Sequence, residues 1–89
     1  MGKTFALGQT VITANAKSVL NVLDINLALD RHAACDWGDL CDDDRGLNEE
    51  ALASNARLFS VYHDSNGIKF WIITEPDRSY TTVLLPEDY

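Results

Sequence analysis

Apolar residues follow two rhythms along this chain. From about position 16 to 54 they recur every three or four residues, the period of helices with one buried face. From 57 to 85 they come in short runs rich in β-branched and aromatic residues, as strands do. In detail, LGQTVIT (7–13) predicts a short strand, and Asn15 is placed to cap a short helix over 16–22, with Val19, Leu20 and Leu23 on one side. Asp24 is a second N-cap candidate, opening a helix whose Ile25, Ala28, Leu29, His32 and Ala33 share a face. Asp36-Trp37-Gly38-Asp39 breaks that pattern, with Gly38 as a turn or cap residue. A third helix is predicted over 42–54, with Leu47, Ala51 and Leu52 as its apolar positions and Asn55 ending it.

The β half is punctuated by turns. RLFSVYH (57–63) and IKFWIIT (68–74) flank Asp64-Ser65-Asn66-Gly67, and Asn-Gly between apolar runs signals a hairpin. Pro76 to Ser79 form a second turn before YTTVLL (80–85), and Pro86 stops that strand. A two- or four-residue loop would put Phe59, Val61 and His63 on the core face with Ile68, Phe70 and Ile72. Ser60, Tyr62, Lys69, Trp71 and Ile73 would then face outward. That face is either covered by the N-terminal segment or left as an association surface, for instance for a homodimer through Tyr62, Trp71 and Ile73. The expected fold is one α+β domain over 1–89, in the order β-ααα-βββ. Its small three- or four-stranded, mainly antiparallel sheet carries two or three helices on one face.

Composition narrows the functional classes. An apolar fraction of 46% supports a packed core. No apolar run approaches a membrane span, and no secretory signal is visible, so a cytoplasmic protein is expected. The net charge is −7 and the isoelectric point about 4.4, which disfavours direct binding to nucleic acid or anionic membranes. Seven acids and one base lie between Asp36 and Glu50, a local net charge of −6. Cys35 and Cys41 are expected to be reduced thiols, and the CxxC or HxxxH spacing of a zinc site is missing from the sequence.

Each chemical motif has a plain structural reading beside the functional one. The acids can imitate phosphates toward a Lys/Arg channel, or can simply favour a helix N-terminus and solvate it. His32 and Asp36 are spaced i, i+4, as an oriented base or a structural hydrogen bond would be. Asp36, Asp39, Asp42, Asp43 and Asp44 lack the spacing of a calcium loop. Trp37 is either an exposed anchor or a buried plug between helices. Asp77 and Arg78 are expected to share a turn and a weak surface ion pair. Neither a nucleophile nor a phosphate-binding glycine loop is identifiable, so neither an enzyme nor a cofactor is expected.

The strings Arg31-His32, Asp36-Trp37-Gly38-Asp39, Trp71-Ile72-Ile73-Thr74-Glu75, Asp77-Arg78-Ser79, Thr81-Thr82 and Leu84-Leu85-Pro86 carry a resemblance. Through them the chain, from about Gly8 to Tyr89, resembles a family of small bacterial proteins scattered on plasmids and other mobile elements. Thr13-Ala14-Asn15-Ala16 departs from the family's Thr-Pro-Gly-like helix start. The resemblance implies no enzyme activity. It implies a setting, among accessory genes where small acidic proteins often inhibit host defence, as anti-CRISPR and anti-restriction proteins do. Charge and setting together lead us to expect an inhibitor that occupies a cationic surface of a host nucleic-acid-binding complex. Asp36, Asp39, Asp42, Asp43, Asp44, Glu49 and Glu50 would supply charge, and Trp37 and Trp71 apolar anchors. The competing expectation is a non-inhibitory interaction module.

Overall fold

The computed structural model describes residues 4–89. Along the chain come β1 (Gln9–Ile12), α1 (Ala14–Val19), α2 (Val22–Ala33), α3 (Asp42–Ser54), β2 (Leu58–His63), β3 (Lys69–Thr74), β4 (Tyr80–Leu84) and a 3-10 turn at Pro86–Asp88. This is the α+β order that the periodicity predicts. The sheet runs β1-β4-β3-β2, with β1 parallel to β4 and the other pairs antiparallel.

The two early helix starts differ from expectation. Thr13, not Asn15, caps α1, accepting a bond from the Ala16 N–H at 3.2 Å. Asn15 instead donates to Asp88, which also accepts from the Thr13 hydroxyl at 2.6 Å, so the chain's last turn is tied to the start of α1. Asn21, not Asp24, caps α2 through the Leu23 N–H. Asp24 lies inside the first turn and accepts from the Ser65 N–H and hydroxyl, tying α2 to the hairpin loop. In both cases the true cap is the residue that leaves one orphan N–H two or three positions ahead within reach.

The hairpin register reverses the expected faces. Asp64 N–H donates to the Ile68 carbonyl, leaving the three-residue loop Ser65-Asn66-Gly67, and Gly67 adopts φ +81°. The Asp64 carboxylate shapes this loop by accepting from the Asn66 and Ile68 N–H groups. An odd loop shifts the pairing by one residue, so Ser60 faces Ile72 and Tyr62 faces Phe70. Tyr62, Phe70, Ile72 and Val83 therefore form the core with Ala16, Leu20, Ile25 and Ala28 of α1 and α2. Phe59, Val61, Trp71 and Ile73 lie on the other face, and Tyr62 does not share it. The association surface expected from Tyr62, Trp71 and Ile73 is thus not one face, and Tyr62 is 2% exposed.

A buried polar chain pins α2 to the sheet. His32, fully buried, has Nδ1 2.5 Å from Ser60 Oγ and Nε2 2.9 Å from Thr74 Oγ1. Thr74 Oγ1 lies 2.7 Å from Thr81 Oγ1, whose hydroxyl donates to the Leu7 carbonyl. That carbonyl can only accept, so it sets the direction of the whole chain. Thr81 spends its proton on Leu7, Thr74 donates to Thr81, and His32 Nε2–H donates to Thr74. Nδ1 is left to accept from Ser60. The imidazole is neutral, and desolvation followed by the charge of Arg78 lowers its pKa to about 3.

The sign of the pH dependence follows. Between the unfolded value of about 6.5 and the folded value of about 3, the unfolded chain holds a proton that the folded chain refuses. Stability therefore falls as pH drops across that window, by about 1.4 kcal/mol per unit below 6.5. Urea denaturation at pH 7 and pH 5 should show a loss of roughly 2 kcal/mol. His32→Gln should be less stable at pH 7 yet lose most of this slope, and an unchanged slope would refute the assignment.

Candidate functional site

The four residues Asp36 to Asp39, expected as part of the binding surface, close an edge of the sheet. α2 ends with Cys35 at φ +64°, where the Asp36 N–H returns to the Arg31 carbonyl and the Cys35 N–H to that of His32. That reversal turns Asp36 away from His32. Asp36 instead pairs with Arg31 at 2.9 Å and accepts from the Gly38 N–H, holding its carboxyl below the usual carboxylate range, chiefly through Arg31. The chain then runs beside β2: Val61 N–H donates to the Trp37 carbonyl and Asp39 N–H to the Val61 carbonyl. Gly38 sits at φ +71° against Val61, and a Cβ there would lie 2.0 Å from the Val61 oxygen.

Trp37 is 2% exposed, so it plugs the second cluster of the core with Leu40, Ala51, Leu58 and Val61 and offers no anchor to a partner. Its indole N–H donates to Glu49 at 3.3 Å. Asp39 stays exposed, 2.7 Å from His63 Nδ1. The tyrosine hydroxyl of Tyr62 donates to the Asp36 carbonyl, and burial pushes its pKa up to about 12.

α3 occupies the predicted span and packs at the β2 edge, where its Ala51 meets both Leu58, on the side of Tyr62, and Val61, on the other side. Asn48, buried, grips Phe59 on both sides: its amide donates to the Phe59 carbonyl at 2.6 Å and accepts from the Phe59 N–H at 3.2 Å. Arg45, the one base in the acidic block, turns inward, donating to the carbonyls of Gly38 and Leu40. Arg78 is not paired with Asp77. It reaches the carbonyl end of α3, donating to Ala51, Ala56 and Glu75 oxygens, where a cation suits the helix dipole. Asp77 accepts instead from the Ser79 N–H.

With both arginines turned to backbone, Asp42, Asp43, Asp44, Glu49 and Glu50 all stand exposed on one helix. Leu47, expected among the apolar core positions, is 61% exposed in their midst. Beside it lies a groove of about 340 Å³ between α3 and the outer sheet face, lined by Asp44, Leu47, Asn48, Arg57, Phe59, Trp71, Ile73 and Tyr89. Trp71, half-buried, meets Phe59 edge-on at 5.1 Å and Tyr89 edge-on at 5.8 Å.

The structure thus brings Trp71 together with Asp44 of the α3 acids, sets Asp36 and Asp39 apart beside their own partners, and removes Trp37. Leu47, Phe59, Arg57 and Tyr89 are not legible as site residues in the sequence. An apolar residue inside a run of acids is the one local signal, since the others meet only through the register. Among the described residues no three His, Cys, Asp or Glu side chains converge to hold a metal, and no helix is long and apolar enough to cross a membrane. No protein-family model, curated protein or solved structure matches the chain.

The edge closure makes a sharp prediction. Gly38→Ala combines a left-handed backbone with a clash against a strand carbonyl, and should cost on the order of 3 kcal/mol or more. A denaturation midpoint within error of the parent would show that the Gly38 strap is dispensable.

Proposed function

We propose that this chain is a cytoplasmic counter-defence protein that binds a cationic surface of a host nucleic-acid-processing complex and occludes it. The observation that carries this reading is the segregation of charge on α3. Five acids are exposed along one helix while the block's only base is engaged in backbone contacts. Such a face attracts a channel lined with Lys and Arg, and steers association at long range. The motif resemblance to mobile-element proteins supplies the setting in which such binding is useful. No catalytic role is assigned, because the one buried imidazole is neutral and fully engaged.

The test is protection. Expression in a host with an active CRISPR or restriction system should raise phage plating or plasmid establishment. The double change Asp43→Lys/Glu50→Lys alters two exposed positions of α3 and should abolish protection while leaving the melting temperature nearly unchanged. Binding to the purified target should weaken as ionic strength rises. Protection that survives charge reversal would sink this reading.

A further inference from the structure

The groove between α3 and the sheet has a chemistry of its own. Its floor and one wall are aromatic: the Phe59 and Trp71 rings meet at 78°, and those of Trp71 and Tyr89 at 71°. Rings at right angles make a corner that presents both a face and an edge to whatever enters. α3 contributes Asp44, Leu47 and Asn48 to the lining, and the Asp44 carboxylate also accepts from the Cys41 thiol at 3.3 Å. An anionic group beside π faces suits a cation that is also flat and weakly hydrated.

The protein already uses this chemistry internally. The Arg57 guanidinium lies 5.6 Å from the Tyr89 ring centroid and donates to the Tyr89 hydroxyl at 2.9 Å. It lines the groove together with Trp71, Phe59 and Asp44.

We infer that this groove receives an arginine side chain of the partner, its guanidinium stacked against Trp71 and its charge met by Asp44. The inference deepens the proposed function and rests on it for the partner, but not for the groove's chemistry. The lining holds one acid, Asp44, and one base, Arg57, so it is the local match to Asp44 and the rings, not the groove's net charge, that selects the occupant. An apolar side chain would make no use of the Asp44 charge. A lysine would satisfy Asp44 but forfeit planar stacking and bidentate bonding. A volume of about 340 Å³ accommodates a guanidinium with its alkyl stem, and the exposed Leu47 is placed to cover that stem.

Titration of the intact protein with N-acetyl-arginine amide, followed by NMR, tests this directly. Saturable shifts are expected at the Trp71 indole N–H, the Leu47 methyls and the Tyr89 ring, with the buried Trp37 indole unmoved. N-acetyl-lysine amide should bind several-fold more weakly and N-acetyl-norleucine amide should leave the spectrum unchanged. Asp44→Asn and Tyr89→Ser, both at exposed positions, should each weaken arginine binding about fivefold without altering the fold. Norleucine shifts equal to those of arginine would mean an apolar slot and overturn the inference. So would arginine shifts spread over the α3 acids with none at the rings. In the protection assay the two readings separate. If Asp43→Lys/Glu50→Lys abolishes protection while Asp44→Asn and Tyr89→Ser leave it intact, the groove inference fails and the acidic-surface reading stands. If charge reversal is without effect, the acidic-surface reading falls, and the titration alone decides the groove.

Discussion

β2 is the last strand of its sheet, and its outward backbone groups must find partners where no strand follows. An exposed edge of that kind recruits other chains, and proteins cover it by several means. Here two covers divide the work. The Gly38 strap takes the N–H and carbonyl of Val61, and the Asn48 side chain takes those of Phe59. Because Phe59 and Val61 are two apart, the backbone groups of both point outward, and both are satisfied. This arrangement puts α3 at the β2 edge of the sheet. The acidic helix and the groove beside it exist in their present places for that reason.

The same closure determines how charge is distributed. Arginine side chains meet backbone carbonyls in the strap and at the α3 terminus. Arg45 serves Gly38 and Leu40, and Arg78 serves the last turn of α3 and the neighbouring β3–β4 turn. Arg31 pairs with Asp36, and Arg57 stacks on Tyr89. With cations spent on structure, the α3 surface keeps its negative charge. The surface field is therefore partly a by-product of how the fold satisfies its backbone.

Element order, the bounds of α3 and the class of fold are legible in the sequence because each depends on local periodicity and caps. Asp42 to Asp44 and Asn55 mark the two ends of α3, and Asn55 does adopt φ +57°. The sheet faces come out reversed because parity depends on one residue of loop length, and the Asp64 carboxylate selects the odd loop. Pairing His32 with Asp36 assumes that the helix continues, whereas Cys35 in a left-handed conformation ends it between them. The Asp36 to Asp39 turn looks functional in the sequence because neither capping nor solubility accounts for it. Its account is long-range: it pairs with a strand more than twenty residues away. The groove is illegible for the same reason, since Asp44, Trp71 and Tyr89 meet only through tertiary structure.

The acids of α3 are not equivalent. Asp42, Asp43 and Asp44 fall in the first turn, where the helix dipole favours them, by roughly 0.3–1 kcal/mol each. Structure alone is reason enough for those three. Glu49 accepts from the Trp37 indole and has a structural use too. Glu50 has neither reason. It stands beyond the first turn of the helix, where the dipole no longer favours an acid, and among the described residues it makes no hydrogen bond or ion pair. Glu50 is therefore where a merely solvated helix and a partner-binding one differ most clearly.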